Sequence, residues 1–203
     1  MVKNGTFMSA IDIVPLKGPL PKQHLKDLAQ LRISIFRDYP FLYDGSLAYE
    51  EKYLEPYMKS ENFLLVLVFD GKKIVGASTA LPLAEEHQEF QAPFIEKQLN
   101  PKEYCYFGES MLEPEYRGQG ISKKFFLERE NHAKSLGLPS TCFCSISRPL
   151  DHPKRPKNFY TLNEFWKKQG YKENFSLIAN CSYKELGDVE ETIKPLHFWI
   201  KKL

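Results

Sequence analysis

The sequence predicts an α/β fold, one domain built on a mixed β-sheet. Three observations carry this expectation. Short apolar runs of strand character alternate along the chain with segments of helical period. An Asp70-Gly71 pair joins two such runs and marks a hairpin. The chain has 203 residues, 42% hydrophobic and 14% aromatic, which is enough apolar surface for a proper core.

Taken in order, Ile11 to Val14 reads as a short first strand ended by Pro15 and a Gly-Pro-Leu-Pro turn. From Lys22 to Arg37, Leu25, Leu28, Leu31, Ile33 and Phe36 recur at helical spacing, and Tyr39-Pro40 stops that helix. A second helical segment covers about Ser46 to Met58. The hairpin pairs Phe63–Phe69 with Lys73–Ser78. Residues 82–101 form a polar, helical insertion longer than a simple connection needs, the kind of segment that serves as a functional lid. Tyr104 to Leu112 is apolar on both faces and reads as one central strand. Ile121 to Leu136 is a helix, with Gly137 as its C-cap and Pro139 beyond. Ser140 to Ser147 is a buried strand, Arg148 to Lys157 a basic, proline-rich loop, and Leu162 to Gln169 a short helix closed by Gly170. Phe175–Tyr183 and Leu196–Ile200 are the last strands, and the chain reads as a single domain over 1–203.

Composition excludes several function classes. With 28 basic and 26 acidic residues the net charge is +2, without the basic excess of a general nucleic-acid binder. The cysteines 105, 142, 144 and 181 lie in strand-like stretches as small hydrophobes, so no disulfide framework and a reducing compartment are expected. Cys142 and Cys144 share a strand face, but no second pair or nearby histidines complete a zinc site, and no metal is expected. The N-terminus lacks the apolar core of a signal peptide, and no run approaches the roughly 18 apolar residues of a membrane helix. A soluble, cytoplasmic protein is expected, with its oligomeric state open, a homodimer included.

The stretch PEYRGQGISKKFF, Pro114 to Phe126, places glycine-rich backbone between a strand and a helix. The first amides of a helix lack internal partners, the macrodipole makes that end positive, and glycines admit a ligand close to the backbone. The pattern suits a phosphate or pyrophosphate, with a plain glycine turn as the alternative. A P-loop is excluded because Ile121-Ser122 follows Gly120, and the dinucleotide fingerprint because Lys123 stands at its third glycine.

The residues Leu112-x-Pro114-x-Tyr116-Arg117-Gly118-Gln119-Gly120-Ile121-Ser122 resemble the acyl-CoA-binding motif of the GNAT superfamily of N-acetyltransferases, with Ser122 where glycine or alanine is usual. The resemblance implies a twisted mixed sheet of about seven strands and four or five helices, splayed between the fourth strand (ending at Leu112) and the fifth (ending near Ser147). It implies acetyl-CoA as cosubstrate and an amine of a small molecule or protein as acceptor. Backbone amides of Arg117, Gly118, Gln119, Gly120, Ile121 and Ser122 would hold the pyrophosphate. Met111 and Leu112 would pair with the pantetheine arm as with an added strand.

Glu109 is the first candidate for general base, the one charged residue in its strand. A structural carboxylate paired with a neighbouring arginine or lysine is the equal alternative. The family's tyrosine acid is replaced by Trp166, four residues before Gly170-Tyr171. Tyr160 is the nearest substitute, with Ser147 or water as alternatives and a packed surface tyrosine as its plainer reading. In the basic loop, Arg148 and His152 are candidates for binding an acidic acceptor, with a reach to a CoA phosphate as the other functional reading of the loop, against a solvated basic loop. The expected function is transfer of an acetyl group to an amine by direct attack, the alternative a CoA-binding regulatory domain of the same fold.

Overall fold

The computed structural model describes residues 11–203; most of the N-terminal stretch read above for a signal, up to Ala10, lies outside them. The described chain runs β1 (Ile11–Lys17), α1 (Lys22–Phe36), α2 (Leu47–Tyr53), α3 (Glu55–Lys59), β2 (Leu64–Asp70), β3 (Lys73–Pro82), α4 (Gln88–Glu96), β4 (Tyr104–Tyr106), β5 (Ser110–Leu112), α5 (Ile121–Ser135), β6 (Ser140–Ile146), α6 (Asn163–Lys168), β7 (Lys172–Tyr183) and β8 (Thr192–Lys202). The sheet order is β1-β2-β3-β4-β6-β8-β7, with β5 paired to β3 alone. The β4–β6 contact is the one parallel pairing among the described residues.

Both faces of the sheet are covered, which explains the unbroken apolar run of β2. Leu65 and Leu67 enter the core beneath α1, α3 and α4, while Leu64, Val66 and Val68 enter the core beneath α5. A period-two pattern buried on both sides reads as continuous hydrophobicity. On α5, Ile121, Phe125, Phe126 and Ala133 fill the second core as their helical spacing requires. Cys142 and Cys144 share the first face, as their spacing demands.

Three expectations change. Pro15 does not end β1, which continues to Lys17 with Pro15 opposite Val66. β1 is an edge strand, where a missing N–H costs the ladder nothing. The segment 46–58 is two helices: α2, capped by Ser46 through Tyr49 N–H, breaks at Leu54 and resumes as α3 with Pro56 in its first turn. The central strand 104–112 is divided into β4 and β5 around Gly108 and Glu109. That division raises the strand count among the described residues to eight and opens the site.

Candidate active site

β4 runs beside β6 only as far as Phe107, whose N–H donates to Cys142 O at 2.8 Å. Beyond it, β5 stays on β3 while β6 continues to Ile146, bonded on its other side to β8. The facing edges of β5 and of residues 143–146 therefore carry no ladder with each other, and a cleft opens between them. Register decides which β5 groups look into it. Thr79 N–H donates to Glu109 O (3.2 Å) and Glu113 N–H to Val75 O (2.9 Å). In step with these, Met111 forms the hydrogen-bonded pair with Ala77, so its backbone groups face β3. Ser110 and Leu112 turn theirs to the cleft. The expectation for Met111 is thus corrected: its backbone is engaged within the sheet, whereas exposed Ser110, which the motif does not include, presents its backbone to the cleft. The carbonyl of Leu112 already accepts from Arg117 Nε at 3.2 Å, leaving its N–H free to bind.

At the end of the cleft, Gly118 (φ +79°) and Gly120 (φ +81°) hold the left-handed backbone that favours glycine. Gly120 caps α5, whose first turn carries no acidic residue. Among the described residues the amides of Gly118, Gln119 and Gly120 have no backbone acceptor, and those of Ile121 and Ser122 open the helix. The loop is held from outside by Tyr116 Oη, which donates to Asp70 on the β2–β3 hairpin at 2.7 Å, and from within by Gln119 Nε2, which donates to Glu115 O at 3.3 Å. The result is a row of exposed N–H groups at a positive helix end, an anion cradle.

Glu109 stands at the vertex, 1% exposed. Its carboxylate accepts from Arg32 Nη1, from the Thr79 hydroxyl and from Tyr57 Oη (3.3 Å). Arg32 also donates through Nε to Glu50 at 2.5 Å, and its guanidinium lies 3.9 Å from the Tyr53 ring centroid. The arginine pairing named as the alternative for Glu109 is therefore present. From the α5 face, Arg129 donates to Glu109 O at 3.1 Å while lying over Phe107 and Phe126. Burial lowers its guanidinium pKa to about 10, so it stays charged at neutral pH. Gly108 leaves room for this packing, since a Cβ there would lie 2.8 Å from Thr79 Oγ1 and closer still to Tyr57 Oη.

Beside the vertex is a cavity of about 80 Å³, walled by Tyr43, Tyr49, Tyr53 and Phe90 and reached by Arg32 and Glu109. The 82–101 insertion supplies Phe90 and Glu89 to its wall. Cys144 lines it too, but burial pushes that thiol well above its usual range, which excludes a thiolate nucleophile at neutral pH. No group of residues able to hold a metal ion occurs among the described residues.

A model of the GNAT acetyltransferase family matches residues 27–156. The chain belongs to that family. No curated protein matches it in sequence. Among solved structures it is similar in fold to a ribosomal-protein-alanine N-acetyltransferase from Brucella melitensis (TM-score 0.59, 12% identity, covering 94% of this chain and 99% of the other). It is similar likewise to an acetyltransferase from Thermus thermophilus (0.55, 14%, 97% and 99%). A third is the PaiA N-acetyltransferase from Thermoplasma acidophilum in complex with coenzyme A (0.52, 15%, 96% and 99%).

Within this GNAT chain the remaining candidates stand apart from the vertex. Trp166 packs edge-on against Phe143 and Trp199, at 5.1 Å from each centroid. Tyr160 is 77% exposed on the loop before α6, with no hydrogen bond from its hydroxyl. Arg148 turns inward to Pro40 O (2.9 Å), Phe41 O (3.3 Å) and the Glu185 carboxylate. His152 Nδ1 accepts from Lys154 N–H at 3.2 Å, and its ring lies against Tyr39. The expectation of a guanidinium free to clamp an acceptor is corrected for Arg148: its donors are occupied by the fold. Arg32 and Arg129 were missed, although each sits four residues after a buried apolar position of its helix, Leu28 and Phe125.

Proposed function

We propose that this GNAT protein transfers the acetyl group of acetyl-CoA to a primary amine by direct attack. The observation that carries the proposal is the continuity of the anion cradle at Gly118–Ser122 with the open edge of β5. The cradle suits the pyrophosphate, and Ser110 and Leu112 offer the pantetheine arm an added-strand partner. The Leu112 N–H, free at the cleft, suits the carbonyl oxygen that gains charge during attack.

The acceptor enters the aromatic cavity, where Glu109 takes a proton from its ammonium group. The freed amine attacks the thioester carbon; a C–N bond forms, the C–S bond breaks, the nitrogen loses its second proton, and the thiolate is protonated. A thiolate leaves with little help, and water in the open cleft returns the proton, which accommodates Trp166 and the exposed Tyr160. A narrow cavity suits a slender amine end, on a small molecule or a lysine-like chain.

The test is release of CoA thiol by the pure protein across a panel of amines. Amine-dependent release supports transfer. Thermal stabilisation by acetyl-CoA with no release on any amine would favour a CoA-binding regulatory domain instead.

A further inference from the structure

Tyr57 Oη lies 3.3 Å from Glu109 Oε1 and 3.4 Å from Glu86 Oε1. If both contacts are hydrogen bonds, three oxygens in a row require two protons between them. The phenol supplies one, so the other belongs to a carboxyl. Glu109 is the poor holder: it already receives Arg32 Nη1 and the Thr79 hydroxyl, donors that suit an ionised carboxylate. Glu86 is the opposite case. It is 4% exposed, and among the described residues no cation pairs with it and its Oε2 has no partner.

We propose that Glu86 holds a proton at neutral pH and donates it to Tyr57, so that Tyr57 in turn donates to Glu109. Glu86 and Tyr57 are then positioning residues: they keep the proton off Glu109 and leave it ionised at the cavity. The use of this arrangement in turnover rests on the acetyl-transfer reading, whereas the location of the proton does not.

The charge balance agrees. With Glu86 neutral, the buried cations Arg32 and Arg129 balance the carboxylates of Glu50 and Glu109, whereas an ionised Glu86 would leave one buried negative charge uncompensated. The groups facing Glu86 offer it no cation of its own. They are Tyr57 on α3, Glu109 at the β4–β5 bend, Arg32 on α1 (already shared by two carboxylates), Tyr53 on α2, Tyr106 on β4, Cys144 on β6, Cys181 on β7 and the adjoining His87, whose backbone N–H is a donor to the carboxylate. Burial, and then the charge of Glu109, push the Glu86 carboxyl well above the usual carboxylate range.

Infrared spectroscopy of the full chain at pH 7 reads the proton directly. The wild type should show the carbonyl stretch of one protonated, buried carboxylic acid. Glu86→Gln should remove that band and Glu109→Gln should retain it. Tyr57→Phe should shift it, because its hydrogen-bond acceptor is gone. Absence of the band in the wild type, its survival in Glu86→Gln, or an unmoved band in Tyr57→Phe would overturn the proposal; should Glu86→Gln not fold, the wild type and Tyr57→Phe decide. With an amine that is turned over, the acid limb of kcat/KM should move to higher pH in Tyr57→Phe, since Glu109 loses a donor that favours its ionised form. An unmoved limb would remove the positioning role. Failure of every amine would sink the acetyl-transfer reading while the infrared bands still locate the proton.

Discussion

Gly108→Ala puts the vertex to a test in which two physical effects have opposite signs. Gly108 is not among the glycines with positive φ, so its backbone suits alanine. At such a position the exchange ordinarily stabilises by roughly 0.4–1 kcal/mol, by narrowing the unfolded ensemble. Here the new Cβ would meet Thr79 Oγ1 at 2.8 Å and Tyr57 Oη closer still. Neither neighbour is free to retreat: Tyr57 and Thr79 are both fully buried, and both hold the Glu109 carboxylate. Overpacking of this kind costs about 1–3 kcal/mol, and two immobile neighbours place it toward the upper end. The net effect should be a loss of about 2 kcal/mol, which for a chain of this size lowers Tm by roughly 4–8 °C. Turnover should fall more than stability, by up to about 100-fold, because Glu109 loses its alignment. Affinity for acetyl-CoA should hold, since the cradle is a separate loop. Differential scanning calorimetry, CoA-thiol release with an amine that is turned over, and calorimetric titration with acetyl-CoA read these outcomes. An unchanged or raised Tm would refute the steric reasoning.

Other expectations concern residues around the site. Arg148→Ala should lower Tm by about 5–15 °C through loss of a partly buried ion pair and two carbonyl contacts, with acetyl-CoA affinity unchanged; an unchanged Tm with a raised amine KM would instead assign Arg148 to acceptor binding. Tyr160→Phe should alter kcat less than twofold, and a drop of about tenfold would make its hydroxyl the proton source for the thiolate. Glu86→Gln should gain stability relative to the wild type as pH rises. Glu86 is raised in the fold and ionises more readily when unfolded, so its contribution is most favourable below the unfolded value and declines as pH climbs toward the folded one. Urea denaturation at about pH 5 and pH 8 tests the sign, and a Glu86→Gln variant that loses stability relative to the wild type between those pH values would contradict it.

Much of the fold was legible because periodicity is a local property. The double-sided burial of β2 and the helical stripe of α5 each follow from spacing alone. The cradle was legible too, since Gly118 and Gly120 mark a backbone conformation that few other residues adopt. The bend at Gly108-Glu109 was not. It is set by Tyr57, Thr79 and Arg129, brought together from α3, β3 and α5, and no window of sequence holds them at once. The choice of Ser110 over Met111 turned on strand register, in which a shift of one residue reverses every backbone group. Arg32 and Arg129 left a weak signal as charges on apolar helix faces, whereas Glu86, in a polar stretch, left none.

Binding of the acetyl-CoA pyrophosphate at the Gly118–Ser122 cradle is the step on which the proposed transfer depends. Calorimetric titration of the wild type and Gly120→Glu with acetyl-CoA tests it most directly, with circular dichroism to establish that the variant is folded. The wild type should bind saturably and Gly120→Glu should lose at least about tenfold in affinity, or 1.4 kcal/mol, from a carboxylate set among amides that await an anion and from strain at φ +81°. No binding by the wild type, or equal affinity in a folded Gly120→Glu, would contradict it.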